Sequence, residues 1–142
     1  MTTRLRHLIA VGAAGAAMAA FAATASADVQ FATPSLNIGC YGDATSVRCD
    51  IRNTSGKKPP RPRACRFDWG TAYGLTRTGR GRGICASDTA LPDPNRPGRI
   101  LKYGKSIRVN AKLTCTSRKT GLTCRNTRDH GFMLSKQKIR LY

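Results

Sequence analysis

The chain runs to 142 residues and sets 25 lysines and arginines against seven acids, for a formal net charge of +18 at pH 7. That length excludes a second domain of ordinary size, and because every acid is aspartate the chain excludes chemistry that needs glutamate. Aromatic residues make up only 6%, so the core is modest and a chain this small needs covalent staples.

Residues 1–27 read as a secretory signal peptide. MTTRLRH carries Arg4 and Arg6, LIAVGAAGAAMAAFAATA follows without a charge, and Ala25-Ser26-Ala27 supplies the small-residue pattern that places cleavage between Ala27 and Asp28. A retained membrane anchor is the competing reading, but the stretch is Ala/Gly-rich, short for a span and not followed by stop-transfer charges. Arg4 and Arg6 are not adjacent, so twin-arginine export is not indicated, and no cysteine follows the cleavage point to take a lipid. The expected mature chain is one secreted domain, 28–142, secreted or held at the cell envelope. It has no span left and, with Arg4 and Arg6 removed from +18, a charge of +16.

Along that domain, short β-branched runs predict strands over Val29–Ala32, Asn37–Tyr41, Ser46–Ile51, Cys65–Trp69, Ile100–Tyr103, Ser106–Val109, Lys112–Thr116, Gly121–Arg125, Phe132–Leu134 and Lys138–Leu141. One helical turn is expected near Thr71–Leu75. TSGKKPPRPR, TRTGRGRG and ALPDPNRPGR separate the strands as glycine- or proline-rich loops. No window sustains a 3.6-residue apolar period. The expected fold is all-β, a small disulfide-stapled sandwich or barrel built from hairpins.

Six cysteines in a small exported domain read as a disulfide framework. C-YGDATSVR-C and C-TSRKTGLT-C each hold eight residues between cysteines, and their flanks rhyme, so they look like two copies of one hairpin. If Ala44-Thr45 is a two-residue turn, Cys40 faces Cys49 at a non-hydrogen-bonded pair, where Cα atoms approach to about 4.5 Å, close enough to bridge. The same count across Lys119-Thr120 sets Cys115 opposite Cys124, which leaves Cys65 with Cys85. Pairing all six closes thiol catalysis. With no C-x-x-C and one mature histidine, metal ligation is not expected, and nothing spells a cofactor motif.

His130, beside Asp129, is the one weak catalytic candidate, as the centre of a small hydrolase. Adjacent strand residues point to opposite faces, and no nucleophile motif accompanies the pair, although Asp68 or Asp88 could approach His130 in space. The bland alternative is a turn residue whose imidazole bonds local backbone while Gly131 takes an unusual dihedral. Small ribonucleases need a second histidine or a glutamate, which the mature chain lacks. Asp43, Asp50, Asp68, Asp88 and Asp93 sit in unrelated contexts, so a glycosidase pair is not signalled. An enzyme is therefore the minority reading. A secreted protease inhibitor presenting Leu91–Arg99 is a third class.

The charge suggests a partner instead. Lys57, Lys58, Arg61, Arg63 and Arg66 form one basic loop, Arg77, Arg80 and Arg82 a second, Arg96 and Arg99 a third, and Lys136, Lys138 and Arg140 close the chain. Such a domain is drawn to anionic polymers or acidic surfaces of the cell envelope. No specific nucleic-acid motif is present, since stacking aromatics are scarce in these loops apart from Phe67 and Trp69. The alternative is charge that serves solubility alone.

In order along the mature chain, TPSLNIGCYGD, RCDIRN, DWG, CASDT, LKYGKS, GLTCRN and HGFMLSK resemble a family of small secreted actinobacterial proteins with six cysteines, known as a domain of unknown function. The resemblance implies export and the cysteine framework, and no activity. Its members usually carry glycine where this chain has Leu36, and again before the histidine, where this chain has Asp129. A position normally filled without a side chain makes a poor catalytic partner.

Overall fold

A computed structural model describes residues 28–142. The leader and its last residue, Ala27, lie outside the described residues. The strands are β1 (Val29–Ala32), β2 (Ile38–Gly42), β3 (Ser46–Ile51), β4 (Asp68–Thr76), β5 (Arg82–Ala86), β6 (Ser106–Asn110), β7 (Leu113–Arg118), β8 (Gly121–Asn126), β9 (Gly131–Leu134) and β10 (Ile139–Leu141). They form two five-stranded antiparallel sheets in the orders β1-β2-β3-β4-β5 and β10-β9-β8-β7-β6. Each sheet is a meander, and β4 of the first packs on β8 and β9 of the second. The all-β expectation therefore resolves into a sandwich.

Side chains alternate across the sheets with the period of two that a strand imposes. In β7, Leu113, Cys115 and Ser117 are buried, whereas Thr114 and Arg118 are exposed. In both meanders the disulfide hairpin occupies the second and third strands, so the repetition seen in the hairpins extends to whole halves. Register makes the correspondence concrete. Phe31, Cys40, Cys49 and Tyr73 stand opposite one another across β1–β4, as Ile107, Cys115, Cys124 and Phe132 do across β6–β9.

All three bridges form as the spacing predicts. Cys40–Cys49 has a Cα separation of 4.1 Å, Cys115–Cys124 of 4.0 Å and Cys65–Cys85 of 5.6 Å. The first two are fully buried, and Cys49 Sγ lies 3.9 Å from Cys124 Sγ. Neither sulfur carries a proton, so this is a van der Waals contact at the middle of the sandwich. The first hairpin turns at Ala44-Thr45 with the Asp43 amide donating to the Ser46 carbonyl at 3.0 Å. The Asp43 carboxylate accepts from the Thr45 and Ser46 amides at 2.7 and 2.8 Å. A side chain thus holds a turn that lacks the preferred Asn-Gly pair.

Four local expectations are corrected. Thr71–Leu75 is not a helical turn but the middle of β4, in which Tyr73 and Leu75 point inward while Ala72 and Gly74 lie on the other face. Small residues weaken β-propensity, yet they are required there, because a Cβ on Gly74 would lie 2.6 Å from Ile84 Cδ1. Only Asp68 and Trp69 of the expected Cys65–Trp69 strand join the sheet. The Arg61 guanidinium donates to the carbonyls of Cys65 (3.1 Å) and Phe67 (2.9 Å) and folds that stretch into a loop. Arg82 and Gly83, expected at the end of the TRTGRGRG loop, instead open strand β5 (Arg82–Ala86). Ile100–Tyr103 is not a strand either. It lies along the edge of β1 through one parallel bridge, with Ala32 N–H to Arg99 O at 2.9 Å and Leu101 N–H to Ala32 O at 2.8 Å.

Two non-glycine residues take left-handed dihedrals, Leu36 at φ 55° and Asp129 at φ 59°. They are the two positions at which the family resemblance expects glycine. Aspartate tolerates this region, whereas leucine pays about 1–2 kcal/mol for it, against about 0.5–1 kcal/mol for the greater freedom of an unfolded glycine. Leu36→Gly is therefore expected to stabilise the domain by about 0.5–1 kcal/mol, read as a higher thermal midpoint, and a lower midpoint contradicts the assignment. The disulfides make a second prediction. Chain entropy alone favours the longer Cys65–Cys85 loop over Cys115–Cys124 by about 0.7 kcal/mol. Emptying the fully buried pair adds a cavity cost above about 1 kcal/mol. Paired Cys→Ala replacement at 115 and 124 should thus lower the urea midpoint more than the same change at 65 and 85.

Candidate functional site

The two sheets differ in what covers their outer faces. Over the first lies the segment that follows β5, held by Arg48. Its guanidinium donates to Asp50 through Nε and Nη2, both at 2.8 Å. It also donates to the Asp88 carboxylate at 2.6 Å and the Asp88 carbonyl at 2.7 Å. The Ala90 amide completes the clamp on Asp50 Oδ2 at 3.1 Å. Asp50 is 3% exposed, and a fork of two guanidinium N–H groups is the geometry that makes a buried carboxylate tolerable. Arg48 in turn holds the Asp88 carboxyl below the usual carboxylate range. Gly39 lets the covering chain sit down, since a Cβ there would collide with the Ala90 carbonyl.

Among the described residues, the outer face of the second sheet carries no such cover. Strand register builds two rows on it, Ser106–Thr116–Thr123–Met133–Arg140 and Arg108–Thr114–Arg125–Gly131. The second row is extended by Tyr142, which exchanges hydrogen bonds with Gly131 at 2.8 and 3.0 Å. Arg118 lies beyond, opposite Gly121. Part of these rows, with Arg118 and Thr120, lines a depression of about 710 Å³ that contains Arg118, Arg125 and Arg140, four threonines and no aspartate. Arg125 sits over the Tyr142 ring, 5.3 Å from its centroid, its Nε donates to the Tyr142 hydroxyl at 3.4 Å, and it pairs with Asp129 at 3.5 Å. The ring stacking fixes the direction of a charge that a free side chain would disperse.

The basic loops are built differently. Lys57, Arg63 and Arg66 are exposed on the long connection between β3 and β4, where Arg61 is engaged in folding the loop and the Lys58 stem lies against Gly70. Arg77, Arg80 and Arg82 flank a loop docked on the second sheet. Gly81 N–H donates to the Tyr142 carbonyl at 3.1 Å, and the buried Asn126 amide donates to Thr76 O (3.1 Å) and Gly79 O (2.8 Å). Among the described residues, the cations that form salt bridges are Arg48 and Arg125.

His130 belongs to the same docking. Its Nδ1 lies 3.2 Å from the Thr78 carbonyl, and its backbone N–H donates to Asn126 Oδ1 at 3.2 Å. It is a turn residue, but the imidazole bonds distant rather than local backbone, and the unusual dihedral belongs to Asp129, not Gly131. Asp129 turns away to Arg125, and Asp88 is held by Arg48. In Leu91–Arg99 the tip is a tight turn, with Arg96 N–H to Asp93 O at 3.0 Å. Charge taken by loops puts Arg140 with Lys136 and Lys138 and leaves out Arg108, Arg118, Arg125 and their threonines. The usable signal was the T-x-T alternation of β7 continued through Thr123 and Arg125 of β8.

The chain belongs to a family of unknown function, DUF6636, whose model matches residues 8–142. No curated protein and no solved structure matches it.

The carboxylates that hold the turn and the clamp set the acid limit of the fold. Asp43 and Asp88 both titrate below the ordinary value of 3.8, the first through the Thr45 amide and hydroxyl, the second through Arg48. The folded chain therefore binds fewer protons than the unfolded chain near that pH. Their contribution is complete above the unfolded value and is lost as pH falls through the lowered ones. The urea midpoint should hold level between about pH 7 and 5 and drop below about pH 4. The Asp43→Asn/Asp88→Asn double variant should show a shallower drop, and an unchanged acid slope contradicts this assignment.

Proposed function

We propose that this member of the family is an exported, non-catalytic domain that binds an anionic polymer of the cell envelope through the open face of its second sheet. The observation that carries the reading is the depression, lined by no aspartate, in which Arg118, Arg125 and Arg140 stand among threonine hydroxyls. Guanidinium groups on paired strands lose less freedom on binding than the same groups on a proline-rich loop, and their planar forks suit carboxylate and phosphate oxygens. Hydroxyls between them bond the uncharged parts of a chain. The exposed loop cations add long-range attraction, which raises the rate of encounter more than the specificity.

Export rests on two features. The apolar, basic-headed leader ends at Ala25-Ser26-Ala27, and three disulfides consume every cysteine of the described chain, which suits an oxidising compartment.

Titration of the protein with linear polyphosphate across a salt series tests the reading. Affinity should fall steeply with salt, and Arg118→Gln/Arg140→Gln should lower both the affinity and the slope. A loop variant, Lys57→Gln/Arg63→Gln/Arg66→Gln, should weaken binding less. Affinity that ignores salt contradicts the electrostatic mechanism, and a larger loss in the loop variant moves the site away from the sheet.

A further inference from the structure

A second depression, of about 490 Å³, opens at one end of the sandwich and shares Arg118 and Gly121 with the first. Its chemistry differs. Thr33, Ser35, Asn37, Asn53 and Gln137 supply hydroxyls and amides, Tyr103 supplies an aromatic ring, Arg118, Lys119 and Lys136 supply charge, and no carboxylate lines it. We infer that this end cleft is a saccharide subsite and that the polymer bound by the domain is an anionic glycan. The inference rests on the anionic-polymer reading above and specifies its ligand.

The argument begins with how the cleft is held. Asn37 and Asn53 lock together, with Asn37 Nδ2–H donating to Asn53 O at 3.0 Å and Asn53 N–H donating to Asn37 Oδ1 at 2.9 Å. Ser35 and Thr33 are joined through their hydroxyls at 3.3 Å, and the Ser135 hydroxyl accepts from Lys138 N–H at 2.9 Å. The turn between β1 and β2, the chain leaving β3 and the turn between β9 and β10 are thus each held by hydrogen bonds at the polar rim. The Asn53 side chain is left free to face a ligand, because both of its bonds to Asn37 use backbone atoms.

Tyr103 lies in this rim at 39% exposure, one of three large apolar side chains left so open among the described residues. An aromatic ring amid hydroxyl and amide groups offers an apolar face and a polar surround at once, which is the mixture a sugar ring presents in return. A nucleic acid would ask for successive stacking rings, and the cleft holds one. A bare phosphate polymer would use the cations and leave the ring and amides idle. Arg118 belongs to both depressions, so a single chain can set a sugar at Tyr103 and carry its acidic groups onto the threonine and arginine rows.

Calorimetry on the mature protein with hexagalacturonic acid, linear polyphosphate and an oligothymidylate of similar charge tests the inference. Tyr103→Ala and, separately, Asn53→Ala should weaken hexagalacturonate about tenfold, the loss of one good contact, while polyphosphate affinity stays within about twofold. Tyr103→Phe should bind hexagalacturonate as the parent does. Equal losses on both polymers, or none on hexagalacturonate, overturn the saccharide subsite and leave the arginine face standing. Tighter, Tyr103-dependent binding of the oligothymidylate overturns it in favour of nucleic acid. Failure of the parent protein to bind any of the three overturns the anionic-polymer reading itself.

Discussion

The fold hangs on a contact between two disulfides. Cys49 of one sheet and Cys124 of the other meet at 3.9 Å, each flanked in its own sheet by a bridged partner and an inward aromatic, Tyr73 or Phe132. Residues 28–142, with so few large apolar side chains, cannot fill the space between two sheets with leucine and phenylalanine alone. Sulfur is dense, polarisable and, once bridged, rigid. The bridges therefore do two jobs that are usually separate. They restrict the unfolded chain, and they form the centre of the packed core.

From that centre the two meanders look alike, and what distinguishes them is what happens outside. On the first sheet Arg48 reaches two aspartates that lie 38 residues apart in the chain, 50 and 88, and straps a loop over the outer face. The strap uses up the charge of Arg48 and buries Asp50. On the second sheet the residues at the outer positions are threonines and arginines with one nearby acid, Asp129. An exposed face on which Arg118 and Arg140 carry no salt bridge and Arg125 meets Asp129 goes with the absence of a strap among the described residues. The asymmetry between otherwise repeated halves is what the proposed binding face rests on.

Legibility in the sequence varied with the range of the interaction. The hairpins at 40–49 and 115–124 were readable because turn length, strand period and disulfide reach are local and agree with one another. Strand β5 was not, because its Arg82 and Gly83 have the composition of a loop and become strand through pairing with β4 and the tether at Cys85. Thr71–Leu75 failed for the opposite reason. Alanine and glycine look weak in isolation, yet they are what a face beneath close neighbours can accept. His130 could be placed in a turn, but its partner Thr78 comes from the other half of the sandwich.

The sequence by itself determined the class of fold, the three bridges and the net positive charge. These depend on residue type, spacing and short-range geometry. Only the tertiary structure decided which cations matter together. Arg118, Arg125 and Arg140 come from three strands and stand in no cluster along the chain, whereas the obvious run at 57–66 is spread over an exposed loop with Arg61 turned to structural use. Charge adds up in space, not along the chain, and the register of a sheet is what converts one into the other.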